Sequence, residues 1–494
     1  MNTRKIKLSI GALSLLIIAS CNKSQLNLNP SNEIALNESF EQTSDAQKWD
    51  GGMYASLRGA TYGEYIMATD IQADQLNATT DYGNNYGGQH TWAGFTADDG
   101  YISSEWSTYY SALASINVAI AGYANIKDTT TAGQASLRQY LGDAYLFRAY
   151  YYHQLILRWA KAYNPTTAST DLGVPLVLTY NVNLKPARAT VAAVYAQILS
   201  DINTARGLLD GVSGSVGAIT FSKDAAIALS ARVKLCMQDW AGAKAAADSL
   251  ISSGTYPLVT NPTDFQNMWA NDAVNESIVQ LTCSQPNEAP NAENMYITFN
   301  SATGDNDPNY VPALSIVNLY DAADYRLTTY FTKTTATFSG VQYTGVYLVT
   351  KFPGNPALWT GTYSDYENAP KVFRIAEDYL ISAEAAFEAG NTSAATTTLN
   401  ALRVSRGVAA LGTVTLQNIQ DERTRELAFE GFRLDDLKRW NLGFTRSNPQ
   451  NTAFLIQGNN YLGQTQAAGA DKFVWGFPTN DINLNPNLVQ NHGW

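Results

Sequence analysis

The chain has 494 residues, of which 45% are hydrophobic and only 15% charged, and its formal net charge is −11. This apolar content is enough for a large folded core and excludes an intrinsically disordered chain. The acidic balance argues against nucleic acid as a partner, because phosphate binding needs an excess of basic residues.

Residues 1–20 have the pattern of a secretion signal. Three basic residues precede an apolar stretch that ends in a small-residue cleavage site, and this stretch is shorter than the roughly 20 residues that cross a bilayer. Cys21 directly follows that site and is similar to the cysteine of bacterial lipoproteins, whose thiol is acylated. We therefore expect a lipid anchor at Cys21, followed by a polar, flexible leash over residues 21–45.

Helical periodicity dominates residues 46–255. Apolar residues recur at helical spacing over 105–123 and 141–159, which predicts an antiparallel pair of helices. Two small-residue-rich hairpin patterns, ALSARVKLCMQDWAGAKAAADSL and YLISAEAAFEAGNTSAATTTLNALR, resemble tetratricopeptide repeats. We predict a mainly α fold: a tetratricopeptide-like superhelix of helical hairpins with a long loop-rich insertion and an irregular C-terminal tail.

The helical period fades in residues 256–370, where Gly, Pro, Asn, Asp and aromatic residues become frequent. A segment of this length with so many aromatics predicts folded binding loops rather than disorder. Residues 371–494 then contain the last repeat and a tail rich in Asn and Pro, which favour turns.

Aromatic residues in Gly- and Asn-rich loops are candidates for ligand contact, because sugars pack C–H groups on aromatic faces and need directional polar partners. One such loop is DYGNNYGGQHTWAGF, which is too glycine-rich to predict a helix, and the others lie in the insertion near Phe299, Tyr310 and Tyr366. The alternative is that these aromatics fill the core of their own loop or face a partner protein. The candidate ligand-binding residues are Tyr82, Asn84, Asn85, Tyr86, His90, Trp92, Tyr296, Trp359 and Tyr363.

Metal and disulfide chemistry have weak support. Asp305 and Asp307 follow the spacing of a calcium loop, but Tyr310 stands where that loop needs glycine, so an Asx-type turn is favoured over calcium. With three histidines in the chain, no other metal or cofactor is expected. Cys236 and Cys283 could pair, although a buried free thiol is the usual state of a cysteine in an apolar helix.

The charged segment ERTRELAFEGFRLDDLKRWNLG at 422–443 predicts a packed, salt-bridged helix. Helical spacing pairs Arg423 with Glu426 and Glu430 with Arg433. Glu422 lies on the same face, and the neighbouring arginines should keep all three glutamates ionised and unsuited to general-acid catalysis.

Several of these motifs together resemble the SusD/RagB family of outer-membrane lipoproteins. They are the segment at 422–443, FRIAEDYLISAEAAFEAGN at 373–391 and the ending FPTNDINLNPNLVQNHGW. The resemblance implies a non-enzymatic protein that binds glycans and acts as the capture lid of a SusC-like TonB-dependent barrel. It also implies an outer-membrane location on the extracellular face, although the residues after Cys21 lack the acidic cluster often associated with surface export.

Three alternatives stay open at this point. Some relatives in the family capture peptides, and a repeat scaffold can bind proteins alone. An extracellular glycoside hydrolase would need two carboxylates flanking a sugar cleft, for which Asp98, Asp99 and Glu105 are the nearest candidates to the first aromatic loop.

Overall fold

The structure is a computed structural model that describes residues 39–494, so Cys21 and most of the leash lie outside the described residues. Within this part, none of the helices is both long and apolar enough to cross a membrane. The helices are α1 Thr43–Gly59, α2 Glu64–Gln72, α3 Gly87–Thr91, α4 Gly100–Tyr123, α5 Thr131–Trp159, α6 Val191–Leu208, α7 Lys223–Cys236, α8 Trp240–Ser253, α9 Pro262–Ala270, α10 Leu314–Val317, α11 Tyr325–Tyr330, α12 Ile375–Glu388, α13 Thr392–Ser405, α14 Leu416–Glu426, α15 Arg433–Arg439 and α16 Thr479–Leu484.

Helices α4 to α8 pack in consecutive order and form the predicted hairpins. The pair expected over 105–123 and 141–159 is confirmed as α4 and α5, each of which begins several residues earlier than the periodicity indicated. Polar caps explain where they begin, since Asp99 accepts from the amide of Tyr101 and Thr130 from that of Gly133. The mainly α, tetratricopeptide-like fold is thereby confirmed.

The two repeat-like patterns are neighbours in space although the insertion separates them in sequence. Helix α12 packs between α8 and α13, and small residues allow the close approach, with Ala243 and Ala247 of α8 buried in one cluster with Ala385 of α12. The Ser382 hydroxyl donates to Asp248 at 2.5 Å across the same contact. One helical scaffold therefore continues through both patterns, as predicted.

Residues 256–370 are more regular than the sequence suggested. They contain α9 to α11 and a four-stranded sheet in the order β5-β6-β8-β9, whose longest pairing is the antiparallel hairpin β8–β9. Buried Phe331, Ala336 and Phe338 share β8 with exposed Thr332 and Lys333, which is the partial alternation of a half-buried strand. The strands are β1 Leu76–Ala78, β2 Leu172–Pro175, β3 Arg188–Thr190, β4 Ser277–Gln280, β5 Phe299–Asn300, β6 Asp305–Asn306, β7 Tyr310–Pro312, β8 Phe331–Phe338, β9 Val341–Val349, β10 Lys371–Arg374, β11 Phe444–Thr445 and β12 Thr465–Gln466.

The C-terminal tail contains only short elements, as predicted, but it is tied closely to the N-terminal helices. The amide of Trp475 donates to the carbonyl of Arg158 at 2.8 Å, and the Trp159 indole donates to the carbonyl of Gly476 at 2.9 Å. Trp159 and Trp475 are fully buried against each other. The tail thus closes the end of α5 and brings residues from both ends of the chain together.

A buried ion network centres on Glu426. Arg326, Arg374 and Arg406 each place a guanidinium nitrogen 3.0 Å from this carboxylate. Burial opposes its ionisation, but the three arginines outweigh burial and hold its pKa well below the usual range. Burial likewise opposes ionisation of Glu422, yet Arg326 and its other arginine partners lower the Glu422 pKa to about 2. The pKa of Glu430 is also lowered, by its basic partners against burial.

The partners predicted from helical spacing are wrong. Arg423 pairs with Asp436 at 2.8 Å, and Arg433 pairs with Asp74 at 2.7 Å. The predicted continuous helix ends at Glu426, and the backbone then takes positive φ at Phe429 and Gly431, so the i, i+3 spacing no longer places the expected side chains together.

Cys236 and Cys283 are free thiols, so the disulfide considered above does not form in this structure. Burial raises the pKa of each thiol to about 12. Both therefore stay protonated and poorly reactive at neutral pH.

Candidate functional site

Two tyrosines from opposite ends of the chain form an aromatic pair at the surface. The hydroxyl oxygens of Tyr82 and Tyr461 are 2.9 Å apart, and their rings meet edge to face with centroids 5.9 Å apart. Both side chains are partly exposed. Burial and the hydrogen bond with Tyr461 raise the pKa of Tyr82 to about 12. The pair therefore offers neutral hydroxyls together with ring surface.

Amide side chains surround this pair. Asn85 donates to the amide oxygen of Asn309 at 2.9 Å, and Asn309 donates to the carbonyl of Asp81 at 2.8 Å. Asn84 is exposed, with its amide oxygen 3.3 Å from the Tyr82 hydroxyl. Its φ of +61° is left-handed, a conformation that asparagine tolerates better than most residues. Directional polar groups thus lie beside the rings.

A second aromatic group combines Phe299 of β5 with Trp359 and Tyr363 of the loop that follows β9. Phe299 and Tyr363 pack with ring centroids 4.7 Å apart, while Tyr363 is 51% and Trp359 38% exposed. The amide and hydroxyl of Thr360 donate to Asp365 at 2.6 and 2.9 Å and fix the turn of this loop. The exposed rings are therefore carried on a hydrogen-bonded loop.

The hairpin β5–β6 connects the two aromatic groups. Phe299 begins β5, Asn309 follows β6, and Asn300 donates to Asp307 at 2.7 Å within the hairpin. Both groups therefore border residues 299–309. We call this region the aromatic surface; its side chains are those of Tyr82, Asn84, Phe299, Trp359, Tyr363 and Tyr461.

Four of the predicted ligand-binding side chains face inwards. His90 has its Nδ1 3.1 Å from the carbonyl of Ile71, and the Trp92 indole donates to the carbonyl of Gln72 at 2.7 Å. The glycine-rich loop does form a short helix, α3, contrary to prediction, and that helix packs on α2. All four are buried in the structure, and their contact with a ligand stays a prediction; they are Tyr86, His90, Trp92 and Tyr296.

Tyr461 was not among the ligand-binding residues predicted from the sequence. It lies in GNNYLG at 458–463, a short tyrosine-containing stretch with the same Gly/Asn composition as the first aromatic loop. That composition is the signal that could have identified it. No sequence pattern indicated that Tyr461 lies close to Tyr82.

The calcium candidates make hydrogen bonds within the sheet. Asp305 accepts from Thr337 at 2.9 Å and from Gln342 at 2.8 Å, and Asp307 accepts from Asn300. In the part of the chain that the structure describes, no group of three or more His, Cys, Asp or Glu residues could hold a metal ion. These are side-chain contacts across the sheet, so the choice between an Asx-type turn and calcium stays a prediction.

The carboxylates considered for a hydrolase do not converge on an open cleft. Glu105 is fully buried, which raises its pKa well above the usual range. Asp99 caps α4 and accepts from Gln89 at 2.6 Å, whereas Asp98 accepts from the amide of Thr479 at 2.7 Å. A polysaccharide could not reach the buried Glu105 in this structure, so Glu105 does not fit the role of a flanking carboxylate.

A cavity lies elsewhere, between α1 and α4. It has a volume of about 730 Å³ and is lined by Trp49, Tyr151 and several serines, including Ser39. The described chain begins at Ser39, so this volume is bounded by the described residues alone. We favour the aromatic surface as the ligand site, because exposed rings and amides occur together there.

This helical-repeat scaffold defines a protein of the tetratricopeptide-like fold class. Two known families match the sequence: residues 27–235 match the family described as "Starch-binding associating with outer membrane", and residues 328–494 match the "SusD family". The chain belongs to the SusD/RagB family.

Two similar proteins and one solved structure support this membership. SusD-like protein P38 of Formosa agariphila is 25% identical over 97% of each chain. The starch-binding protein SusD of Bacteroides thetaiotaomicron is 36% identical over 25% of this chain and 21% of its own. A SusD superfamily crystal structure from Bacteroides thetaiotaomicron covers 91% of this chain and 99% of its own, with 24% identity and a TM-score of 0.77, and thus has the same fold.

Proposed function

We propose that the protein captures oligo- or polysaccharide at the bacterial outer membrane and does not transform it. The observation that carries this proposal is the aromatic surface, where the partly exposed rings of Tyr82, Tyr461 and Tyr363 border one hairpin with amide groups between them. Sugar rings pack their C–H faces on aromatic side chains, and their hydroxyls pair with amides and phenols. The named starch-binding relative and the starch-binding family description support a carbohydrate ligand.

The direct test is affinity electrophoresis and calorimetry of purified residues 39–494 against a panel of polysaccharides and a matched panel of peptides. We expect at least one glycan to bind and reducing ends not to accumulate during incubation. Binding of peptides with no binding of glycans would instead support a peptide-capturing protein. Release of reducing sugar would reject a purely binding role.

We further propose that the protein is the lipid-anchored lid of a SusC-like TonB-dependent barrel on the extracellular face. The family's association with the outer membrane and the signal that precedes Cys21 support this assignment. Cys21→Ser should release the protein from membranes, and co-purification of the wild-type protein should recover the barrel. Protease treatment of whole cells tests the orientation, since a protein on the periplasmic side would be protected.

A further inference from the structure

The charge of the aromatic surface narrows the class of glycan that it can take. Carboxylates border every part of this surface: Asp81 precedes Tyr82, Asp305 lies in β6, and Asp365 holds the loop that carries Trp359. Two further carboxylates, those of Asp307 and Glu367, flank the same elements. All five side chains are partly exposed.

None of these five carboxylates forms a salt bridge with a residue of the described chain; they accept hydrogen bonds from neutral groups. Asp81 accepts from the amide and hydroxyl of Ser339 at 2.7 and 3.2 Å, and Glu367 accepts from Gln285 at 2.6 Å. Their negative charge is therefore uncompensated by direct partners. The buried ion network differs, because each of its central glutamates contacts at least two cations.

Lys333 and Arg446 make their contacts with groups other than these carboxylates. Lys333 is exposed on β8 and lies over the ring of Tyr347, 5.0 Å from its centroid. Arg446 is buried and donates to backbone carbonyls at the end of α2, including that of Ala73 at 3.0 Å. Neither cation forms an ion pair with one of the five carboxylates of the aromatic surface.

Like charges also act on each other within this surface. The pKa of Glu367 is raised, first by burial and then by the charge of Asp365. A bound ligand that brought further carboxylate or sulfate groups would meet the same repulsion, whereas a neutral sugar would not.

We infer that the aromatic surface binds neutral glycans and rejects uronate-rich or sulfated ones. This inference rests on the proposed capture function and names the substrate class of that same site. The inference rests on the carboxylates without ion-pair partners that lie around the aromatic rings. The rings can pack on any sugar, whereas the negative charge of the carboxylates repels anionic sugars.

The test compares each of four polysaccharides in three forms. Soluble starch, laminarin, xyloglucan and galactomannan are each used unmodified, hydroxyethylated and carboxymethylated, with alginate and polygalacturonate added as natural polyanions. Calorimetry is done in EDTA, so that no divalent cation bridges carboxylates, at 20 mM and 500 mM salt. The hydroxyethyl form controls for the size of the substituent without adding charge.

We expect a neutral form to bind and its carboxymethyl form to bind roughly 10-fold more weakly than the hydroxyethyl form at 20 mM salt. The difference should shrink at 500 mM salt, where screening shortens the range of charge interactions. Equal or tighter binding of the carboxymethyl form at low salt, or retention of alginate, would overturn the inference. Binding of no glycan of either kind would reject the capture function itself.

A charge-neutral variant provides an independent check. The triple substitution Asp81→Asn, Asp305→Asn and Asp365→Asn should narrow the difference between the carboxymethyl and hydroxyethyl forms. Asp210→Asn, on the loop between α6 and α7, is the matched control and should leave that difference unchanged. The salt dependence of the wild-type protein decides the question if the triple variant fails to fold.

Discussion

The hydroxyls of Tyr82 and Tyr461 lie 2.9 Å apart although 379 residues separate them in the chain. The contact joins a loop near the first helices to the C-terminal tail, and the two rings meet edge to face. A ligand that packs on one of these rings therefore lies against the other, and the binding surface exists only in the folded chain.

Tyr461→Ala should weaken binding of the captured glycan about 10-fold, because truncating a central aromatic contact commonly costs more than 1 kcal/mol. Tyr461→Phe should lose less, since it keeps the ring and removes only the hydroxyl. Calorimetry measures both. Tyr180→Ala, which removes a tyrosine that is 53% exposed outside this surface, is the control, and an equal loss in that variant would contradict the assignment.

Tyr363→Ala should affect long oligosaccharides more than short ones. Tyr363 packs on Phe299 of β5, whereas Tyr82 pairs with Tyr461, so we expect only a long ligand to contact both aromatic groups. Titration with a series of oligosaccharides of increasing length should show wild-type affinity rising with length and the variant reaching a plateau earlier. A uniform loss at all lengths would place a single short site at Tyr363.

The helices were predictable because their signal is local. Apolar residues at helical spacing along α5 identify its buried face without knowledge of any partner. The side to which a loop aromatic points is a long-range property: Trp92 and Tyr363 both lie in Gly-rich segments, yet the Trp92 indole donates to the end of α2 while Tyr363 is half exposed. The sequence carried no information that distinguished them.

The ion pairs of the family motif were mispredicted for a similar reason. Helical spacing assigned Arg423 to Glu426, but the helix ends at Glu426 and three arginines from other segments converge on that carboxylate. Two of these, Arg326 and Arg374, lie 100 and 52 residues away in sequence. Local spacing predicts pairs only while the helix continues.

Glu426→Gln should reduce the free energy of unfolding by about 3 to 5 kcal/mol, because removing one partner of a buried ion pair leaves uncompensated charges in the core. Urea denaturation at neutral pH measures the change. Asp210→Asn, which removes an exposed pair with Lys223, should leave the urea midpoint unaltered. A similar midpoint for Glu426→Gln and wild type would show that the network is not required for stability.

Asp70→Asn should change how stability depends on pH. Burial raises the Asp70 pKa to about 8, although the amide of Gly431 donates to it at 3.1 Å. Between pH 4 and 8 the folded state therefore keeps a proton that the unfolded state releases. This group's stabilising contribution is fully present below the unfolded pKa and is lost as pH rises, at roughly 1.4 kcal/mol per pH unit.

Asparagine has no ionisable carboxyl group, so the variant lacks this pH dependence in both the folded and the unfolded state. The stability of Asp70→Asn relative to wild type should therefore increase from pH 5 to pH 8. Urea denaturation at pH 5, 6, 7 and 8 measures the two slopes, and Asp210→Asn should follow the wild-type slope over this range. Parallel curves for wild type and Asp70→Asn would mean that Asp70 ionises in the folded protein. The charges of Lys351 and Arg158, which lower the Asp70 pKa, would then compensate the burial of Asp70.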